Sequence, residues 1–500
     1  MHFSSVDDKI FRLQHREKDS IRIVPWKNVY WPMVKSWLRT CEEDHSECIH
    51  SRLLYWSSMS ASNKIFIDVQ HQNLRICQLD CRYIALSYVW GGVPQLLLKN
   101  SNKETLHREG ALKELDKDIP QVIRDSMEVV KALGERYLWV DSLCIVQDDE
   151  LVKDRAISDM AAIYSYALVT IVAVNGKNAN AGLAGVREKS REPQDMIDIP
   201  GTGISVTYWT PLEIAIGGST YDTRGWTFQE RLLSRRCLYF TETQVFLECQ
   251  KQIKSEDRTG RHEGPYLSGN RISASGNIVV RMLSEFGDSE NDYQIKMMRY
   301  SKLVEQYCQR EFTYPNDILK AFSGIEAALE KDSSRWKMIY GLPFQLLDYA
   351  ILWEPGEPRS ELDSTNAARY SNAKVKGILS KITVPLQVRS SMFPSWSWAA
   401  WIGDICYSEM NSADLQVLHS PFKLGMPIFT LREMSQHFTN TNYCSLRPSP
   451  SFHFRLAFKQ AIQTFRLEVL LRILARLQSL TSKHRDSREE HLLDPQHSWE

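Results

Sequence analysis

The residues best suited to chemistry lie in one short stretch, Arg224–Arg231, with the sequence RGWTFQER. It combines a planar cation, two aromatic rings, an amide and a carboxylate. Trp226 and Glu230 are four positions apart, so on a helix they share one face. An aromatic plate beside a carboxylate suits a ribose or base ligand. The alternative interpretation is a helix start anchored by its aromatic residues, with Glu230 paired to an arginine of the same stretch.

Acidic residues also accompany the apolar segment Tyr137–Ile145. Asp141 lies in the middle of this segment, which we predict to be a strand. A carboxylate near the carboxyl end of a parallel strand faces the crevice in which α/β folds bind ligands. The alternative is a hydrogen-bonded aspartate that orders the following loop. That loop begins with Gln147–Asp149, and its acidic pair favours a helix N-terminus, where negative charge is stabilised.

Cys41, His45 and Cys48 could supply three zinc ligands, with Cys77 or Cys81 as a fourth. The same spacing also places the first three on one face of a helix. Closed zinc sites need four ligands, and neither candidate for the fourth is convincing. We therefore favour structural packing and predict no metal site.

Two aromatic or basic stretches each allow two interpretations. The segment Pro394–Trp401 contains three tryptophans, which could form a stacking platform but more often lock one layer of a protein onto another. The segment Phe452–Leu480 has leucines and isoleucines at helical spacing with interspersed basic residues. It could be an amphipathic helix for a membrane or a partner, although a helix docked on its own domain is favoured.

The elements that must position these residues lie between residues 83 and 250. Apolar runs predict buried strands at Tyr83–Trp90, Tyr137–Ile145, Leu168–Val174, Arg236–Thr241 and Gln244–Cys249. A helix is predicted from about Pro120 to Leu133, with Gly134 placed to end it. A second helix precedes the third strand. This alternation predicts an α/β fold with a doubly wound, mostly parallel sheet covered by helices on both faces.

A chain of 500 residues is longer than one compact domain usually needs, so about two to four domains are expected. We expect a leader over residues 1–79, the α/β domain over 80–250, a flexible linker over 251–292, a mainly helical, aromatic-rich region over 293–405 and a divergent tail over 406–500. Residues 186–222 are expected to be a long insertion within the α/β domain.

Composition excludes several classes of protein. Lys and Arg together number 61, as do Asp and Glu, so the chain lacks the basic excess of a general nucleic-acid binder. No segment reaches the roughly 18 apolar residues of a membrane span. The charged start lacks a signal-peptide core, so we expect a cytoplasmic protein with mostly reduced thiols.

Three sequence blocks carry a resemblance to a known family. They are Tyr83–Gly91; Ile119–Asp149 followed by Met160, Ile163–Tyr164 and Gly182–Leu183; and Arg224–Ser234. In this order and spacing they resemble the fungal heterokaryon incompatibility (HET) domain family. Flanking segments extend the similarity to about residues 30–405. Val89 and Phe228 depart from the residues that the family often has there.

The resemblance implies a role in fungal non-self recognition, in which the domain triggers the death of incompatible fused cells. The family is in turn remotely similar to TIR domains, some of which cleave NAD with the carboxylate of a Trp-x3-Glu segment. Trp226 and Glu230 have that spacing. This similarity implies Glu230 as the catalytic residue. If the domain cleaves NAD, we expect Asp141 and Asp149 to orient the ribose hydroxyls, Trp226 to pack on a ring, and Arg224 to be a further ligand-binding residue.

Three functions follow as hypotheses. The first is an effector or signalling protein in programmed cell death, with protein partners through self-association or a recognition protein. The second is an NAD glycohydrolase, with NAD as substrate and no cofactor required. Its Glu230 would stabilise an oxocarbenium-like ribose, as carboxylates do in glycosidases. The third is an adaptor that only assembles with partners.

Overall fold

The structure, a computed structural model, describes residues 2–4, 10–12, 24–49, 62–194, 196–199, 204–258, 290–332, 337–344, 350, 353–355, 387–388, 393 and 397–407. The strands are β1 His2–Ser4, β2 Ile10–Arg12, β3 Asn63–Asp68, β4 Asn73–Gln78, β5 Tyr83–Ser87, β6 Tyr137–Trp139, β7 Thr170–Ala173, β8 Met196–Ile199, β9 Ile204–Trp209, β10 Arg236–Phe240, β11 Val245–Cys249, β12 Ile253–Ser255, β13 Met338–Ile339, β14 Leu342–Pro343, β15 Trp353–Pro355, β16 Gln387–Val388, β17 Trp401–Ile402 and β18 Ile405–Tyr407.

The helices are α1 Trp31–Asp44, α2 Ser46–Ile49, α3 Lys103–His107, α4 Ala111–Glu114, α5 Gln121–Leu133, α6 Asp141–Cys144, α7 Glu150–Tyr166, α8 Leu212–Ile216, α9 Thr220–Thr223, α10 Gly225–Leu233, α11 Glu290–Cys308 and α12 Ser323–Asp332. Single turns of 3-10 helix cover Asp116–Asp118, Pro315–Ile318, Lys320–Phe322 and Trp398–Ala400. Among the residues described, no helix has both the length and the apolarity needed to cross a membrane.

Eight strands form one sheet in the order β12-β11-β10-β7-β5-β6-β3-β4. β5 lies between β6 and β7 and is parallel to both, and β10 is parallel to β7. All five residues of β5 are buried, as expected for a strand covered on both faces. The first three predicted strands are therefore adjacent and parallel in one sheet.

The sheet is mixed, which corrects the prediction of a mostly parallel one. β3 and β4 form an antiparallel hairpin at one edge, and β3 is antiparallel to β6. At the other edge β11 is antiparallel to both β10 and β12. The α/β class is therefore confirmed. The sheet also includes two strands from residues 63–78, within the predicted leader.

The helix predicted over Pro120–Leu133 is confirmed as α5. Pro120 is its N-cap residue, and Gly134 ends it in the left-handed conformation with φ 86°. The amide of Gly134 donates to the carbonyls of Lys131 and Val130. A glycine serves here because positive φ costs it little. The predicted helix before the third strand is α7, with its buried residues in its second half.

The strand predicted over Tyr137–Ile145 is wrong beyond Trp139. β6 ends there, and after extended Val140 the chain turns into the short helix α6. The side chain of Asp141 accepts a hydrogen bond from the amide of Ser142 at 2.7 Å. Asp141 thus lies at a helix N-terminus immediately after the strand, where a carboxylate is stabilised, and not within the strand.

The chain divides into two units, Met1–Gln345 with Pro355–Cys406 and Leu346–Glu354 with Tyr407–Glu500. In the first unit a smaller antiparallel sheet has the order β1-β2-β9-β8. In the second, where few residues are described, the hydroxyl of Tyr407 donates to the carbonyl of Ala350 at 2.9 Å. The predicted helix over Phe452–Leu480 lies outside the described residues.

The described part of residues 293–405 contains α11 and α12 together with short strands, so a mainly helical region is not confirmed. Trp398 is fully buried there and packs edge-on against Phe322 and Tyr307, with ring centroids at 5.3 and 5.8 Å. Its indole donates to the hydroxyl of Tyr300 at 3.1 Å. For Trp398 the structure supports the packing interpretation over the stacking platform.

Candidate functional site

The carboxyl edge of the parallel strands is the place where three of the five predicted site residues lie. Ser87 is the last residue of β5, and Asp141 follows β6, its parallel neighbour. From β5 the chain proceeds through α5 to β6 on one side, whereas from β7 it proceeds through α10 to β10 on the other. Such a reversal between adjacent strands leaves a crevice at their carboxyl ends, where open α/β sheets bind ligands.

Glu230 reaches this edge from α10. Its residue surface is only 6 % exposed, and its carboxylate accepts a hydrogen bond from the hydroxyl of Ser87. That hydroxyl lies 2.7 Å from the hydroxyl of Tyr221, and Tyr164 also hydrogen-bonds Glu230. Burial raises the pKa of Glu230 to about 7 against the opposing hydrogen bond from Ser87, and the negative charge of Asp141 adds to the rise. The carboxyl group therefore changes charge near neutral pH.

Asp141 is half-buried, and hydrogen bonds fix both of its carboxylate oxygens. The indole of Trp90 donates to Oδ2 at 2.9 Å, and the amide of Ser142 donates to Oδ1. Burial raises the pKa of Asp141, while these two hydrogen bonds and the charge of Arg224 oppose the rise. Asp141 therefore orders the local chain, and it does so at the carboxyl edge of the parallel strands.

Arg224 is near enough to both carboxylates for its charge to affect them. It is the residue just before α10, and its guanidinium donates to the carbonyl of Tyr88 at 3.0 Å, in the segment that leaves β5. Its positive charge lowers the pKa of both Asp141 and Glu230. The structure thus brings together three of the five predicted residues. They are Asp141 from α6, Arg224 from just before α10 and Glu230 from α10.

The other two predicted residues have separate surroundings. Trp226 is half-buried one turn before Glu230 on α10, where it packs against the main core and hydrogen-bonds the carboxylate of Asp317. Asp149 is the N-cap of α7, and its side chain accepts a hydrogen bond from the amide of Val152 at 3.1 Å. A capping role therefore accounts for Asp149 at its observed position.

Four residues of the site were not singled out by the sequence alone: Ser87, Trp90, Tyr164 and Tyr221. The first three belong to the blocks that carry the family resemblance, and Tyr221 lies just before the third block. For the first three, their position within those blocks is the sequence signal that could have identified them. Their pairing with the acidic residues depends on the fold, since Ser87 and Glu230 are 143 positions apart.

The position of α10 depends on a glycine. A Cβ atom on Gly225 would lie 2.0 Å from ring atoms of Phe312, and the amide of Gly225 donates to the carbonyl of Glu311 at 3.0 Å. Further along α10, the side chain of Gln229 accepts a hydrogen bond from the amide of Gly324, in α12, at 2.7 Å. These contacts seat the helix that presents Glu230.

A groove of about 440 Å³ begins on the segment after β5. Its lining includes three cationic side chains, Lys99, Lys117 and Arg124. Gln95, which also lines it, accepts a hydrogen bond from the hydroxyl of Tyr88 at 3.3 Å. The same hydroxyl lies 3.1 Å from the hydroxyl oxygen of Ser142, next to Asp141. The groove is of a size that small-molecule sites have.

Glu230→Gln is expected to remove part of the pH dependence of stability. Since the pKa is raised from 4.5 to about 7, the folded protein keeps a proton between these values that the unfolded chain has released. The stabilisation from this group is full below pH 4.5 and is lost as pH rises to about 7, in total about 3 kcal/mol. Thermal unfolding of the wild type and of Glu230→Gln at pH 5 and pH 8 checks this. If Tm falls equally in the two proteins between pH 5 and pH 8, the prediction is wrong.

Comparison with known families identifies this region. Residues 83–230 match the family model described as heterokaryon incompatibility protein (HET). Neither the curated proteins nor the solved structures gave a match. The matched segment begins with β5 and ends at Glu230, so it spans Ser87, Asp141 and Arg224. The matched region, residues 83–230, is therefore identified as a heterokaryon incompatibility (HET) domain.

Proposed function

We propose that this protein is an effector of fungal non-self recognition and that its HET domain acts by hydrolysing NAD. The observation that carries the proposal is the cluster of Asp141, Arg224 and Glu230 at the carboxyl edge of β5 and β6. Two desolvated carboxylates and one cation lie beside the switch point of the sheet, between β5 and β7, and such a point is where α/β folds bind nucleotides. Carboxyl groups with shifted pKa values in such a place are typical of functional sites.

The chemistry requires a carboxylate at the reacting sugar. Hydrolysis breaks the bond between the nicotinamide nitrogen and the ribose C1′, and nicotinamide leaves as a neutral base. A water molecule adds its oxygen to C1′ and releases one proton. Positive charge develops on the ribose as the bond breaks, and a buried, ionised Glu230 would stabilise that charge strongly because little water screens it.

The neighbouring groups suit the remainder of the substrate. Asp141 can accept hydrogen bonds from ribose hydroxyls, and its orientation is set by Trp90 and Ser142. The three cationic side chains of the groove, Lys99, Lys117 and Arg124, outnumber its one carboxylate, Asp118, and so favour a pyrophosphate.

Hydrolysis of NAD would lead to cell death because a cell cannot survive without NAD. An effector that removes NAD needs no further partner to arrest growth, whereas a signalling domain needs one. Activity would have to be restrained until recognition occurs. Self-association or a recognition protein are the partners we propose for that step.

The purified full-length chain is expected to release nicotinamide from NAD, as measured by chromatography of the products. Induced expression of the same chain in a fungal host should lower cellular NAD and slow growth. Growth arrest without NAD loss would favour signalling by assembly. If neither effect occurs, the adaptor remains the better interpretation and the proposal is wrong.

A further inference from the structure

Four metal-binding side chains meet at a place distant in sequence from the proposed active site. The ligand atoms of Cys41, His45, Cys48 and Cys249 all lie within 4.8 Å of one another, and all four residues are buried. Cys41 is on α1, Cys48 on α2, His45 between these helices, and Cys249 ends β11. We propose that these four residues bind one structural Zn²⁺ ion.

The distances suit a tetrahedral zinc site. Zinc binds sulfur at about 2.3 Å and imidazole nitrogen at about 2.0 Å, so its tetrahedral ligands are about 3.5–3.8 Å apart. In the structure Nδ1 of His45 lies 3.4 Å from the sulfur of Cys249. Three thiolates and one imidazole in tetrahedral arrangement are a donor set that selects zinc among the common metals.

The surrounding residues support the same assignment. Nε2 of His45 lies 3.0 Å from the side-chain amide of Gln252, which leaves Nδ1 facing the cysteines. With the amide turned so that its oxygen accepts the Nε2 proton, His45 presents an unprotonated Nδ1 to the metal. A hydrogen bond of this kind is a regular feature around zinc-bound histidines.

Charge balance adds a further argument. A zinc ion with three thiolates and a neutral imidazole carries a net charge of −1. The buried side chain of Arg236 compensates for it, because its Nε donates to the sulfur of Cys41 at 2.9 Å. Without the metal, four polar ligand atoms would be packed together in a region that excludes water.

The structure identifies a fourth ligand that the sequence did not indicate. From the sequence, packing is favoured for Cys41, His45 and Cys48 because neither Cys77 nor Cys81 is convincing as that ligand. These two cysteines are only half-buried and interact with each other. The fourth position is filled by Cys249, which is 204 residues from His45. All four positions are occupied by protein, so the site is closed and its role is structural. It would fasten α1 and α2 to β11 of the sheet.

The test is the metal content of the untagged full-length chain, measured by mass spectrometry after purification. We expect about one zinc per chain in the wild type. Cys249→Ser should lose most of it, whereas Cys77→Ser and Cys81→Ser, matched controls outside the cluster, should keep it. Removal of zinc with a chelator should lower the Tm.

Two measurements guard against a variant that merely unfolds. His45→Cys replaces imidazole with a thiolate and should retain zinc. Wild-type protein reloaded with Co²⁺ should show thiolate-to-cobalt charge-transfer bands and the intense visible bands of a tetrahedral site. The proposal is overturned if Cys249→Ser holds as much zinc as the wild type, or if the metal-free wild type binds neither Zn²⁺ nor Co²⁺. None of these readouts depends on NAD cleavage.

Discussion

Glu230→Gln is expected to lower the rate of NAD cleavage at least ~100-fold, with the loss in kcat and little change in KM. The amide has nearly the shape of the carboxylate and can still accept the hydrogen bond from Ser87. It cannot carry the negative charge that stabilises the developing cation on the ribose. The loss is therefore confined to the transition state and appears in kcat.

The rate should also depend on pH in a defined direction. Because the pKa of Glu230 is raised to about 7 and the reaction needs the ionised form, kcat should rise as pH increases through about 7. Glu230→Gln should lack that rise. A rate that falls over the same interval would assign the protonated carboxyl the active role instead.

The matched control is Glu242→Gln, which alters an exposed glutamate between β10 and β11. It should retain the wild-type rate. Glu230→Ala is less informative, since it would leave the buried hydroxyl of Ser87 without its acceptor and so destabilise the domain. A folded Glu230→Gln variant that cleaves NAD at the wild-type rate would exclude the proposed role of this residue.

The part of the fold predictable from sequence is the part that depends on local pattern. The unbroken apolar run from Tyr83 indicates a strand buried on both faces, and the position of Gly134 ends α5 because few other residues adopt its φ. The end of β6 could not be predicted in the same way. Apolar residues continue to Ile145 on both sides of Asp141 and Ser142, and a short buried strand and a buried helical turn have the same apolar pattern.

The candidate site, too, could be predicted from the sequence only where it depends on local pattern. That Trp226 and Glu230 share a helix follows from their spacing, and α10 confirms that they do. The hydrogen bond from Ser87 to Glu230 does not follow from any local pattern, because it depends on where α10 is packed. The same holds for Cys249, which meets His45 only after β11 has joined the sheet.

A second large effect is expected at a buried ion pair that the sequence did not indicate. Arg191 and Glu256 have fully buried side chains, and Nη1 of the arginine lies 2.5 Å from Oε2 of the glutamate. The arginine also donates to the carbonyls of Asn28, at 2.9 Å, and Pro25, while Glu256 accepts from the amide of Val245. These bonds connect the segment before α1 to β11.

Arg191→Met is expected to lower the free energy of unfolding by about 3–5 kcal/mol. The methionine fills much of the volume but leaves the carboxylate of Glu256 buried without its partner. Burial already raises the pKa of Glu256, and loss of the guanidinium would raise it further. The destabilisation should therefore be larger at pH 8 than at pH 5, because stability is lost as pH rises through the folded-state pKa.

Two comparisons separate the charge from the packing. The double variant Arg191→Met, Glu256→Gln should recover part of the loss, because the neutral amide removes the unpaired charge and can still accept from Val245. Arg82→Met is the exposed control, because its guanidinium is paired with Glu42 and Glu135 but is 54 % exposed. It should cost about 0.2–1 kcal/mol, since water screens such pairs. Denaturant unfolding measures all three, and equal costs for Arg191→Met and Arg82→Met would show that burial of the pair does not determine its contribution.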